Sequence, residues 1–149
     1  MQKLKLLLLS YVLLTSCGGF NNQVIRTSNN SPIFEIQKGA CYGTCPIYTV
    51  TLTEDRLVTY HGKRFVKNQG INEWYLSRRS FKQISDIILR SFNYSDSYNI
   101  QVQDLPLTTL KINDHHTIKY KGICPSEFSD ELELIENILF ENAHWNFPK

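Results

Sequence analysis

Two cysteines stand four positions apart in Gly39-Ala40-Cys41-Tyr42-Gly43-Thr44-Cys45-Pro46-Ile47-Tyr48, a spacing that admits a disulfide clamp, a metal clip or a redox centre. A bridge needs Cα atoms within about 7 Å, whereas four extended residues hold them about 13 Å apart, so the segment must curl. Gly43 permits the curl through positive φ, and Pro46 restarts an extended chain. A Cys41–Cys45 bridge is therefore accessible. Cys124 paired with either of them is the competing arrangement, and one thiol stays unpaired in any case. A bridge over so short a loop stabilises by less than the about 3 kcal/mol expected for fifteen residues. Its use is to shape the loop. The redox reading meets a C-x-x-x-C spacing in place of C-x-x-C, with no helix N-terminus directly after it to lower a thiol pKa. A zinc site from Cys41, Cys45, Cys124 and His115 or His116 has suitable ligand types, but adjacent histidines on a strand point to opposite faces.

Other residues offer less. His115 and His116 beside Asn113-Asp114 read as hairpin-turn residues, and Asp104 before Leu105-Pro106 as a turn former. Trp74, Tyr75 and Trp145 have the chemistry of a sugar-stacking platform, yet no polar cluster accompanies them, so core or rim packing is expected. The chain has no G-x-S-x-G, H-E-x-x-H, phosphate loop or dinucleotide fingerprint, hence no catalytic residue, metal or cofactor is assigned. These residues bound the function without naming it.

The first residues are the most informative about location. Lys3 and Lys5 precede an apolar run from Leu6 to Leu14 broken only by Ser10, and Leu14-Thr15-Ser16-Cys17 closes it. That run is far short of the roughly 20 residues that cross a bilayer, so residues 1–16 read as a signal peptide. The closing tetrapeptide resembles the lipobox of bacterial lipoproteins, which makes Cys17 the expected lipidation site and new N-terminus. Two or three acyl chains on Cys17 would hold the domain on a membrane. Removing residues 1–16 takes two of the sixteen Lys and Arg with it and leaves fourteen charges of each sign. No basic stripe with interleaved aromatics remains, so nucleic acid is not an expected partner. The expected location is the bacterial cell envelope, lipid-anchored. Because no acidic run follows Cys17, the anchor is read as periplasm-facing at the outer membrane.

Residues 17–32, rich in Gly, Asn and Ser, read as a flexible tether, and residues 33–149 as one domain. Within it, Ile33 to Gln37 suits a short strand. Ile47 to Thr53 alternates Tyr48, Val50 and Leu52 against Thr49, Thr51 and Thr53, and Val58 and Tyr60 continue the apolar face across a turn at Glu54-Asp55, making a hairpin. Glu73 to Leu76 suits a further strand. Ser77 is an N-cap for a helix carrying Phe81, Ile84, Ile87, Ile88 and Phe92 and ending near Asn93. After a long connection, Leu110 and Ile112 pair with Ile118 and Tyr120 in a second hairpin. Phe128, Leu132, Ile135 and Leu139, with Trp145 beyond, stripe a second helix. The fold class predicted is α+β: an antiparallel sheet from two hairpins with two helices packed on one face.

Cys41-Tyr42-Gly43-Thr44-Cys45-Pro46-Ile47-Tyr48, Tyr60-His61-Gly62, Phe65-Val66, Gly70 and Asp104-Leu105-Pro106 with a threonine pair together resemble a family of uncharacterised bacterial envelope domains, the domain of unknown function numbered 6438. The resemblance covers most of residues 33–142. Glu54-Asp55-Arg56 replaces the Asp-Gly turn expected there, and Cys124 falls outside the pattern. The resemblance implies a fold and a location, and no known activity. The leading reading is a membrane-anchored envelope lipoprotein serving as a binding or structural module. Its contact surface is expected at the loop 41–48 and at Asp104 to Thr109, with Tyr42, Thr44, Tyr48 and Asp104 the candidate contacts. The alternative is a periplasmic thiol-disulfide enzyme using Cys41 and Cys45.

Overall fold

The computed structural model describes residues 31–90, 94–141 and 143. Residues 1–16, read as a leader, lie outside the described residues with Cys17, Phe92 and Trp145, as does the segment read as a tether up to residue 30; its last residue, Pro32, already opens the first strand. The elements follow the order β1 (Pro32–Lys38), β2 (Ile47–Thr53), β3 (Leu57–Arg64), β4 (Gly70–Tyr75), α1 (Arg78–Ile88), β5 (Ser97–Tyr98), β6 (Leu107–Ile112), β7 (His116–Lys121) and α2 (Ser129–Glu141). The strands form one sheet in the order β4-β3-β2-β1-β6-β7-β5. All neighbours are antiparallel except β5, which runs parallel to β7.

Both expected hairpins are present, β2–β3 and β6–β7, but the sheet contains more than these two. β1 lies between them and joins them, pairing Phe34 with Leu52 on one side and with Ile112 on the other. β4 extends the first hairpin into a meander by pairing along β3 from Gly62–Gly70 to Leu57–Tyr75. Its first half, Gly-Ile-Asn, alternates too weakly to announce a strand, and the register with β3 recruits it. β5 interrupts what the sequence offered as one long connection. Two residues carry no period; the Tyr98 ring fixes them, 5.6 Å from that of Phe128.

Alternation decides which face is buried. Phe34, Ile36, Val50, Leu52, Val58 and Tyr60 face one way, as do Trp74, Leu110, Ile112, Ile118 and Tyr120, and all are buried. The opposite face is polar: Lys111 Nζ meets Glu35 Oε1 at 2.8 Å and the Thr59 hydroxyl donates to Glu73 at 3.1 Å. Ile84, Ile87 and Ile88 of α1 and Leu132, Ile135, Ile138 and Leu139 of α2 join the sheet residues in a single buried cluster. Trp74 is part of it, and its indole N–H donates to Leu139 O at 2.9 Å. That answers the platform question for Trp74: its polar edge serves as a tie to α2.

The helix ends follow local chemistry. Ser77 caps α1, its hydroxyl accepting from Ser80 N–H at 3.0 Å, which satisfies one of the donors a helix start leaves open. The helix stops at Ile88, earlier than expected, with Leu89 as the C-cap and 69% exposed. In the first hairpin Arg56 takes the left-handed φ of 72° that a glycine would take freely. Its guanidinium donates to Leu76 O at 3.1 Å, which offsets part of that cost.

Candidate functional site

The loop from Gly39 to Pro46 joins β1 to β2 at one end of the sheet. Its entry is fixed by Gly39, whose N–H donates to Leu107 O at 2.8 Å. A Cβ on Gly39 would stand 2.9 Å from that oxygen, so only glycine fits at this approach. Tyr42 N–H points at Asp104 O, 3.5 Å away. Cys41 and Cys45 are bonded to each other with Cα atoms 5.8 Å apart, inside the limit that a bridge sets. The clamp curls the loop and Pro46 releases it into β2. Cys124 is unpaired and half-buried.

Two hollows open beside this loop. One, of about 340 Å³, lies between Cys41, Tyr42, Gly43 and Ile47 on one side and Arg64 and Phe65 on the other. The second, of about 330 Å³, is walled by Pro46, Tyr48, Tyr60, Phe65, Val66 and Phe140, with Lys67 and Asn68 at its lip. Phe65 is the partition between them. It holds a left-handed φ of 55° just past the end of β3, and the Arg64 guanidinium lies 4.9 Å from its ring centroid, a cation–π contact. The second hollow has an aromatic wall, with the Tyr48 and Tyr60 rings tilted at 5.6 Å and Tyr60 meeting Phe140 edge-on at 6.1 Å. A further hollow of about 470 Å³, beside α1, is bordered by Ser77, Arg79, Ser80, Gln83 and Glu141; it has no fixed apolar wall to exclude water.

The structure brings the loop 41–48 and the start of β6 together, and it distributes the candidate contacts. Tyr42 is 91% exposed on the loop tip. Thr44 is exposed on the same loop, and Asp104 is exposed with a φ of 65°; neither lines the two hollows. Tyr48 turns the other way, toward α2, and serves the second hollow. Thr108 and Thr109 are buried. His116 Nδ1 stands 3.4 Å from Asp96, away from both cysteines in the chain order and on the opposite end of β7. Among the described residues no group of three or more His, Cys, Asp or Glu is placed to hold a metal ion, and no helix is long and apolar enough to cross a membrane.

Sequence reasoning missed a polar row just inside the hollows. Tyr48, Lys38, Thr108 and Tyr120 are cross-strand neighbours on β2, β1, β6 and β7, all on the core face. Above them Glu136 of α2 places Oε1 3.1 Å from Lys38 Nζ, outside hydrogen-bond alignment, so the contact is coulombic. The signal was present: Lys38 continues the inward pattern of Phe34 and Ile36, and Glu136 directly follows the buried Ile135. Burial raises the Tyr48 phenol above its ordinary pKa, and the Glu136 carboxylate adds to the rise. Burial likewise raises Tyr120, against a lowering hydrogen bond with Thr108, and Cys124, against a lowering hydrogen bond with Tyr120 and the nearby Lys38. A thiol so held is a poor nucleophile at neutral pH.

Fold and loop define a structural class: a small α+β domain with one disulfide-clamped loop fixed to the end of a mostly antiparallel sheet. The chain belongs to the family described as Domain of unknown function (DUF6438), which it matches over residues 32–140. No curated protein and no solved structure matches it.

Proposed function

We propose that the protein is a lipid-anchored binding module of the bacterial cell envelope, held through Cys17 and a flexible tether over residues 17–32, facing the periplasm. The domain from residue 33 presents the clamped loop as its contact surface. The same reading takes the two hairpins as the frame of the sheet and both helices as one layer on its apolar face. The leader sequence supports the location. The observation that carries the binding reading is the pair of hollows on either side of Phe65. Both hollows are shallow and open to solvent; the second has a mostly apolar wall with Lys67 and Asn68 at its lip, the kind of lining a ligand site uses, and the disulfide fixes one wall of the first before any ligand arrives, which lowers the ordering cost of binding.

The thiol-disulfide alternative has one observation in its favour, since the Cys41–Cys45 bridge borders an open hollow. Its reduction potential separates the readings: a value below about −300 mV marks a structural clamp, and one near −200 mV a working redox pair. The binding reading itself is tested by chemical-shift mapping on the chain lacking residues 1–16 and carrying Cys17→Ser, titrated with soluble peptide and glycan fragments of the envelope. Shifts concentrated at residues 41–48, 64–67 and Phe140 support it. Shifts elsewhere, or none across the set, overturn it.

A further inference from the structure

The seven strands give the molecule two ends. β1, β3, β5 and β7 finish at the end that carries the disulfide, and β2, β4 and β6 begin there. Exposed apolar side chains are unevenly shared between these ends. Of the ten large hydrophobics exposed among the described residues, six lie in the loops of the disulfide end: Tyr42, Phe65, Ile100, Val102, Leu105 and Ile123. Tyr42 and Ile123 stand out furthest, at 91% and 89% exposed. The other four are Ile71 and Tyr75 on β4, Leu134 on α2 and Leu89 at the end of α1.

Charge divides the same way. The strand ends and loops around the disulfide carry Lys63, Arg64, Lys67 and Lys121 against Asp104 and Glu127. The turns and connections of the opposite end carry Glu54, Asp55, Asp96 and Asp114 against Arg56 and Arg90. The domain is therefore more basic and apolar at one end and more acidic at the other.

Four of the six, Tyr42, Phe65, Leu105 and Ile123, come from loops that meet one another. Tyr42 and Phe65 share the walls of one hollow. Tyr42 N–H meets the carbonyl of Asp104, and Gly122 N–H donates to Pro106 O at 3.1 Å, which sets Gly122, the residue before Ile123, against Leu105. A Cβ on Gly122 would come within 2.7 Å of Leu105 Cδ1.

We propose that this end docks on an anionic lipid surface. Single apolar side chains projecting from several loop tips, ringed by cations, suit a soft interface that each tip can enter on its own. Tyr42 has the amphipathic ring that favours the headgroup level. The lysines lay their stems along the apolar tips and keep their ammonium groups at the phosphates. Arg64, stacked against Phe65, is already placed at that rim. The inference deepens the binding-module reading and rests on it, but it needs no lipid on Cys17.

The test uses the chain lacking residues 1–16 with Cys17→Ser, so that the anchor contributes nothing, in flotation with vesicles of phosphatidylcholine with or without about 30 mol % phosphatidylglycerol. Binding is expected to the anionic vesicles and to weaken as salt rises. Tyr42→Ser with Ile123→Ser should lower it about tenfold or more. Lys63→Glu with Arg64→Glu should lower it similarly and flatten the salt dependence. Asp114→Asn, at the other end, should leave it unchanged. The high exposure of Tyr42 and Ile123 keeps folding out of the result, checked by an unchanged denaturation midpoint. Absence of vesicle binding, equal binding to both vesicles, or indifference to the tip variants overturns the proposal. If soluble fragments still shift residues 41–48 in that case, the lipid inference alone falls and the binding module stands.

Discussion

Lys38 occupies a position that alternation assigns to the core, and its ammonium is tolerated there because Glu136 reaches down from α2 to meet it. Around this pair stand Tyr48, Tyr120 and Cys124, each held toward its protonated form by burial; burial does the same for Tyr60 beside them. Keeping these groups neutral makes the row compatible with an apolar core, and it also ties stability to alkaline pH. In the unfolded chain Cys124 loses its proton around its ordinary value of 9.0, and the tyrosines around 10.0. In the folded chain all four hold their protons to higher pH. The stabilisation is therefore complete below pH 9.0 and falls as pH rises toward the raised values, because the unfolded state sheds protons first. Urea denaturation at about pH 8 and about pH 10.5 should show a lower midpoint at the higher pH. Cys124→Ala should delay the onset of that fall to the tyrosine range. A midpoint that stays flat between the two pH values would mean that these groups are solvated in the native state.

At the scale of elements, the clamped loop was partly legible. The bridge between Cys41 and Cys45 forms without the positive φ expected of Gly43, which stays out of the left-handed region, so the other residues of the loop make the curl; the competing pairing with Cys124 is settled only by geometry, since Cys124 hydrogen-bonds Tyr120. The two hairpins were legible because Thr-Val-Thr-Leu-Thr and its partners alternate without interruption, and α1 because Ser77 caps a regular stripe. β1 as the joining strand, β5, and the partition formed by Phe65 were not legible. Each depends on contacts distant in sequence, and a residue such as Phe65 at the end of a basic strand has no local pattern that marks it. The hollows depend on that same partition. Cutting the clamp tests how far the loop relies on its neighbours. The chain-entropy relation gives about 2 kcal/mol for a closed loop of this length, while Gly39 and Tyr42 remain tied to Leu107 and Asp104. Cys41→Ser with Cys45→Ser should accordingly lower stability by about 2 kcal/mol, measured by urea denaturation, and leave the far-ultraviolet spectrum unchanged. Loss of the folded spectrum would show that the clamp holds the sheet as well as the loop.

The whole molecule has one core. Six of the seven strands and both helices contribute to a single buried cluster, and no subset of them encloses an apolar interior alone. α2 is the element on which this depends most. Leu132, Ile135, Ile138 and Leu139 cover the sheet, Phe128 carries the rings of Tyr94, Tyr98 and Tyr120 around it at 5.2 to 5.9 Å, and Leu139 O receives the Trp74 indole N–H. Lifting α2 would expose the apolar face of β1, β2, β6 and β7 at once and leave a helix-end carbonyl without its donor. A detached α2 is therefore not a stable intermediate, and unfolding should follow one cooperative transition, as small single cores usually do. Trp74 reports on the junction directly. With Trp145→Phe to isolate its signal, the urea transition followed by Trp74 fluorescence should coincide with that followed by far-ultraviolet circular dichroism, with one midpoint and one slope. A fluorescence change that completes while the sheet signal persists would show that α2 leaves first. The sheet would then be a unit able to fold without that helix.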